Sequence, residues 1–280
     1  MLERRQIQSV VDMALDEDAP FGDLTSQTLV PMTAKATADL VAREPGVFAG
    51  AEVFEIAMTT LDPTITVTLH AADGDRFDKG AVLATVSGPA RAVLQSERVA
   101  LNLVQRMTGI ATLTATYVDA VAGTNARVVD TRKTTPGLRA LERHAVRCGG
   151  GHNHRYSLSD AVMAKDNHLA VIDDITATLK QAKADLPHTT HIEVEVDRLE
   201  QIDAVLASGA AHTIMLDNFS LEDLRAGVEQ IGDRALVEAS GGITLETIKD
   251  VAATGVDVIS VGALTHSVRA LDLGLDITVS

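Results

Sequence analysis

Apolar residues between about Glu3 and Leu15 recur at helical spacing, with charged residues between them, and predict an amphipathic opening helix. Up to about Gly88 the pattern changes to the short β-rich runs ATADLVA, PTITVTLHA and AVLATVSG, broken by turn residues. From about Ala92 helical spacing returns in AVLQSERVALNLVQRM and then GIATLTATYVDAVAG, read as two helices leading into a second domain. Beyond them the apolar runs ARVVD, AVMAK, HIEVEV, HTIMLD, ALVEAS and DVISVG alternate with helical stretches at 138–147, 173–184, 199–207, 221–229 and 245–253. Strands and helices that alternate in this way make parallel βα units.

The expected fold is therefore α/β: a C-terminal βα barrel of about six parallel strands, fewer than eight, with an N-terminal α+β sandwich domain. The boundaries fall at 1–108 for the N-terminal domain with its helical bridge and 109–268 for the barrel, and 269–280 is a tail returning to the N-terminal domain. Nearly every barrel strand ends in a chemically capable group: Asp130 to Lys133, Lys165, Glu195, Asp217, Ser240 and Gly262. An open Rossmann-like sheet also gathers ligands at strand ends, but at a switch point between two neighbours. Functional groups after all six strands favour the barrel, whose active site is built at the C-terminal strand ends.

Composition narrows the function. At 280 residues and 46% hydrophobic the chain can bury a large core. Aromatics make up only 2% and Trp is absent, which argues against base-stacking platforms for single-stranded nucleic acid. A single cysteine rules out an internal disulfide. No apolar run is long enough to cross a bilayer, and the acids of MLERRQIQSVVDMALDEDAPFGD do not suit a signal or transit peptide, so the cytoplasm is the expected location. The net charge is −15, yet Thr131 to His168 holds seven Lys and Arg, four His and only three acids. A cationic segment inside an acidic body points to a pocket for a small, multiply charged anion and not to a nucleic-acid surface.

Within that segment Arg132 and Lys133 follow a strand, while His154 and Arg155 follow a triple glycine that permits close backbone approach. Arg offers a planar fork for carboxylate or phosphate, and Lys a movable point charge. Arg139, Arg143 and Arg147 recur every four residues, and the plain reading of that stripe is a solvated helix face. His152-x-His154 has the look of a zinc pair, but no third ligand stands at a suitable spacing. Cys148 reads as a small buried or half-buried filler. Ser240-Gly241-Gly242 and Val261-Gly262-Ala263 each follow a strand and precede a helical stretch, where backbone N–H groups bind phosphate; tight βα turns are the plainer alternative. Glu195 and Asp217 are either ion-pair partners of these cations or carboxylates for ribose hydroxyls, magnesium or a developing positive charge on a sugar carbon. Glu193 points to the same side of its strand as Glu195, so alternation does not choose between them.

The strings DTRKTTPGLR, GGGHNHRYSLSDAVMAKDNHL, IEVEV, IMLDNF, EASGGI and VGALTHSV, with EDAPFGDLTS and SERVALNLVQRMTGIAT before them, resemble the quinolinate phosphoribosyltransferase family over essentially the whole chain. That resemblance implies transfer of phosphoribosyl from phosphoribosyl pyrophosphate to quinolinate, with magnesium and loss of CO2, to give nicotinate mononucleotide. It further implies that Arg132, His154, Arg155 and Lys165 hold the pyridine dicarboxylate, joined by Arg98 from the neighbouring subunit of a homodimer or larger assembly. By the same resemblance Lys133, Glu195 and Asp217 serve the phosphoribosyl pyrophosphate, with Glu195 and Asp217 toward magnesium, directly or indirectly. Ser240, Gly241, Gly242, Val261, Gly262 and Ala263 would take its phosphate, with Thr131 in the same lining. No tightly bound organic cofactor, nucleic acid or membrane is implied. A related phosphoribosyltransferase acting on another anionic ring, or a molybdenum-associated relative, is the nearest alternative. A carrier-domain reading of HAADGDRFDKGAVLATVSG, with Lys79 as attachment site, is disfavoured because Lys79 precedes the turn glycine.

Overall fold

The computed structural model describes residues 2–279. It divides into two compact units, one made of residues 1–115, 134–150 and 264–280, the other of 116–133 and 151–263.

The first unit is built on a four-stranded antiparallel sheet in the order Leu273–Val279, Lys35–Ala42, Val82–Pro89, Thr66–Leu69. Alternation in Lys35–Ala42 turns Ala36, Ala38, Leu40 and Ala42 inward, each buried, while Lys35 faces water. The opening helix Arg4–Asp18 buries Ile7, Val10, Val11 and Leu15, the i, i+3, i+4 stripe legible in the sequence, and packs with helix Ala51–Thr59. Phe48, Phe54, Ile56 and Met58 fill the core here. Lys79 is exposed in the turn before Val82–Pro89, beside Gly80 at φ +88.

Two expectations give way in this unit. The two bridging helices are a single helix, Ala90–Ala120, that runs straight through Gly109. A glycine normally weakens a helix interior, but a Cβ at 109 would run into the carbonyl oxygen of Arg269, so the residue is small because the C-terminal segment passes against it. Nor is the arginine stripe of helix Arg139–Cys148 a solvated face: Arg143 is buried and Arg139 half-buried, and only Arg147 is exposed. On the same helix Glu142, 1% exposed, accepts from Arg106 Nε at 2.7 Å and from the Thr135 N–H at 3.1 Å. Arg106 also donates to Thr135 Oγ1 and the Thr265 carbonyl, so one buried ion pair ties three separate stretches of chain.

The second unit is a six-stranded, all-parallel sheet in the order Arg127–Val129, Val258–Ser260, Leu236–Ser240, Thr213–Asp217, Ile192–Val196, Val162–Ala164. These are the six apolar runs read from the sequence, and the helices Ile175–Asp185, Glu200–Ser208, Leu221–Ile231 and Ile248–Ala252 fall between them where the periodicity put them. Asp174 and Ser220 cap two of these helices by accepting from Ala177 and Asp223 N–H. Among the described residues no ladder joins the two outer strands. Instead His152 bridges to Val129, and Arg155 Nη1 donates to the Ala161 carbonyl at 3.0 Å. Ile192–Val196 is buried at every position, as a strand covered on both faces must be, so its two glutamates lie in the interior.

Gly109→Ala measures the close approach in the first unit. Helix propensity alone would make the alanine better by ~1 kcal/mol. The overlap with the Arg269 carbonyl should reverse that sign and destabilise the protein by about 1–3 kcal/mol, read as a lower denaturant midpoint. An unchanged or raised midpoint would show that the C-terminal segment yields freely.

Candidate active site

Parallel strands must all end on one side of their sheet, and here those ends enclose a cavity of about 370 Å³. It is lined by Thr131, Arg132, Lys133, His154, Arg155, Met163, Lys165, Glu195, Met215, Asp217, Ser240 and Ser260. Nine of the expected site residues thus meet in one hollow, though they come from stretches more than a hundred residues apart. A second hollow of about 290 Å³ shares Glu195 and Asp217 with the first and adds Asp166, Asp197, Gln201 and Asn218.

The cavity wall carries its cations close together. Burial and the neighbouring Arg132 charge pull the Arg155 guanidinium below its ordinary value, the signature of like charges held side by side. Arg132 Nε is buried without a hydrogen-bond partner, a state that proteins avoid unless an acceptor is to be supplied. Lys165 Nζ donates to Glu195 Oε2 at 2.8 Å, so that ammonium sits between the cationic wall and the carboxylates. Asp130, fully buried at the end of its strand, accepts from the His154 N–H at 2.8 Å and from the Asn153 amide, fixing the loop that carries Arg155. Asp160 accepts from the Tyr156 and Ser157 N–H groups and holds the far side of the same loop.

Beneath the cations lies an acidic layer that composition does not reveal. Glu193 and Glu238 are both buried and meet His154, whose Nε2 lies 3.0 Å from Glu193 Oε2 and 3.6 Å from Glu238 Oε1. Oε1 of each glutamate has no hydrogen-bond partner. Burial, reinforced by the Glu193 charge, pushes the Glu238 carboxyl up to about 8. These three side chains bring one ligand atom each within 4.8 Å of one another; His152 is not part of the group, so the His152-x-His154 pair read from the spacing does not form here.

The glycine loops differ from expectation in detail. Gly241 at φ +92 and Gly242 at φ +61 do make a tight left-handed turn, but the next helix starts only at Ile248, so its N-terminus does not follow the glycines directly. A Cβ on Gly241 would strike Asn218, which itself stands at φ 58 and donates to Asp217 Oδ2 at 2.6 Å. Asn218, like Glu238, is a residue that sequence reasoning passed over; its position directly after a strand-end aspartate was the available signal. In the second loop the Val261 N–H is committed to the Val129 carbonyl, and Ala263 opens the short helix Ala263–His266 with Gly262 half-buried before it. Ser240 lines the cavity, whereas Gly241, Gly242, Val261, Gly262 and Ala263 are not among its lining residues. Arg98 is exposed on helix Ala90–Ala120 of the first unit.

The raised Glu238 pKa has a consequence for stability. Between the ordinary glutamate value of 4.5 and about 8, the folded chain binds this proton more tightly than the unfolded chain, so stability falls as pH rises through that window. Glu238→Gln keeps the shape of the protonated carboxyl and removes the titration. Its unfolding free energy relative to the parent should climb from pH 5 to about pH 8 and then level off, measured by denaturant titration at each pH. A difference that stays flat would mean Glu238 is not the proton holder.

Residues 23–108 match the quinolinate phosphoribosyl transferase N-terminal domain and residues 110–276 the C-terminal domain of the same family. The chain is 46% identical over 279 residues to a nicotinate-nucleotide pyrophosphorylase (carboxylating) of Mycobacterium leprae, covering 96% of each chain. It is 43% identical over 275 residues to a probable enzyme of the same name from Bacillus subtilis, covering 98% of this chain and 94% of that one. The crystal structure of NadC from Streptococcus pyogenes superposes with a TM-score of 0.95 at 39% identity, over 100% of this chain and 99% of the other. Two domains matched in order along nearly the full length, with a cationic cavity at the strand ends, establish that this chain belongs to the quinolinate phosphoribosyltransferase family.

Proposed function

We propose that the protein transfers the phosphoribosyl group of phosphoribosyl pyrophosphate to quinolinate and releases CO2, pyrophosphate and nicotinate mononucleotide. The observation that carries this reading is the joining of three cations, Arg132, Arg155 and Lys165, with two carboxylates, Glu195 and Asp217, in a single cavity. A ring bearing two adjacent carboxylates needs several cationic donors, and a ribose that becomes positive at C1 needs carboxylates beside it. Arg132, Arg155 and Lys165 take the dicarboxylate, with His154 in the same wall. Lys133, Glu195 and Asp217 take the phosphoribosyl pyrophosphate, and Thr131 contributes to the same lining. Ser240 and the turn of Gly241 and Gly242, with Val261 to Ala263, are assigned to its phosphate. Arg98, exposed on its helix, is assigned to the site of a second subunit in a homodimer.

In the reaction the C1–pyrophosphate bond breaks and the sugar carbon turns cationic. Glu195 and Asp217 stabilise that charge while the pyridine nitrogen donates its pair to C1. The ring nitrogen is now positive. When the adjacent carboxylate leaves as CO2, the electron pair of the broken bond stays on C2 next to that nitrogen and takes up a proton. No separate catalytic acid is required for this step beyond a proton source. Asp166, Glu195, Asp197 and Asp217, all around the second hollow, offer the hard oxygen donors that magnesium prefers, and bound magnesium would neutralise the pyrophosphate as it departs. Relatives that bear the carboxylating name favour quinolinate over the alternative acceptors of related phosphoribosyltransferases.

The test follows carboxyl-labelled quinolinate with phosphoribosyl pyrophosphate and magnesium. Labelled CO2 and nicotinate mononucleotide should appear together, one for one, and neither should form when phosphoribosyl pyrophosphate is withheld. Arg132→Lys, which retains the charge and loses the fork, should raise the KM for quinolinate about tenfold or more. Nucleotide formed without CO2, or from nicotinate in preference to quinolinate, would overturn the reading.

A further inference from the structure

Two glutamates stand two residues apart on the same strand and both face the interior, yet their partners differ. Glu195 meets Lys165 at the cavity, whereas Glu193 is 4% exposed and has His154 Nε2 at 3.0 Å. Burying a carboxylate away from the cavity lining costs free energy unless it orders a group that does line it. The other nitrogen of the same ring shows what is ordered. His154 Nδ1 accepts the backbone N–H of Arg155 at 2.7 Å. A nitrogen that accepts carries no proton, so Nε2 bears the ring hydrogen and points it at Glu193. Burial and the acids Glu193, Glu238 and Asp130 act in opposite senses on a second ring proton, with the acids prevailing, but the Arg155 N–H aimed at Nδ1 opposes its entry there. Both nitrogens of His154 are thereby spent on the protein. A residue that lines the cavity has its polar atoms turned to the wall.

We infer that Glu193, with Glu238 beside it, is a positioning residue: it anchors Nε2–H of His154, and the ring thus held fixes the Arg155 peptide so that the Arg155 guanidinium stands ready for a substrate carboxylate. His154 then serves the dicarboxylate through Arg155, and the chain acid–imidazole–peptide is the reason for three ionisable side chains in the floor of the site. This inference rests on the reading of the cavity as the quinolinate site. If that reading fails, the parent protein shows no quinolinate-dependent release of CO2, a result separate from every variant effect below.

The amide side chains separate the two ring nitrogens. Asn at 154 carries its oxygen near the place of Nδ1, while Gln reaches to the place of Nε2. His154→Gln should therefore raise the KM for quinolinate about tenfold or more above that of His154→Asn, the loss that goes with one misplaced charge-assisted contact. Glu193→Leu should raise the same KM by a similar factor with the KM for phosphoribosyl pyrophosphate unchanged. Glu193→Gln retains an acceptor for Nε2–H and should restore it. In a Glu193→Leu, His154→Asn double variant the asparagine no longer depends on the anchor, so the quinolinate KM should return toward the parent. The inference is overturned if His154→Gln outperforms His154→Asn, which would mean that Nε2 meets the substrate. It is equally overturned if folded Glu193→Leu leaves the quinolinate KM unchanged or raises both KM values together. Should Glu193→Leu fail to fold, the two His154 variants decide alone.

Discussion

Everything at the site depends on parallel strand direction. Six strands running the same way bring six C-terminal ends to one rim, and a polar residue just past each apolar run has nowhere else to go. That constraint assembles Arg132 and Lys165, and the loop fixed by Asp130 adds Arg155, although their mutual repulsion opposes it. The acidic side chains in the strand ends, Glu195 and Asp217, with Glu193 one pleat deeper, make the assembly tolerable. The positive charge left over in the cationic wall is a local electrostatic imbalance of the kind that favours a small anion.

The strands were legible because a sheet buried on both faces leaves near-continuous apolar runs, and the strand-end residues were legible because chemistry sits directly after those runs. Lys165, Glu195 and Asp217 are found in the cavity for that reason. What a linear reading could not supply was partnership across long separations. Glu238 lies inside the run LVEAS and looks like an interruption of it; only the neighbouring strand and the His154 loop show it to be part of a buried cluster. Arg143 looks solvent-facing from its i, i+4 spacing, because spacing names a face without saying which side is covered. Gly109 reads as a helix break for the same reason: the Arg269 carbonyl that makes it a contact residue is 160 positions away. The glycine loop after Ser240 was recognisable as a turn, but the length of chain before the next helix was not.

Glu193 and Glu195 show how one alternation can serve two tasks. Period-two geometry puts both on the interior face, yet the strand rises by about 6–7 Å between them, which is the difference between the cavity and its floor. At the upper level a carboxylate shares Lys165 with the open cavity; at the lower level a carboxylate shares His154 with Glu238 and no solvent. The same residue type thereby lines the open cavity at one level and sits in its closed floor at the next.

Whether the cavity reads two carboxylates at once is decided by calorimetric titration of the purified protein with quinolinate and with nicotinate. Nicotinate has the same ring and lacks the 2-carboxylate. Since a charge-assisted contact contributes about 1.5–3 kcal/mol, quinolinate should bind at least about tenfold more tightly, and the gap should narrow as salt is added. Equal affinity for the two acids, at any ionic strength, would show that the cavity does not read the 2-carboxylate.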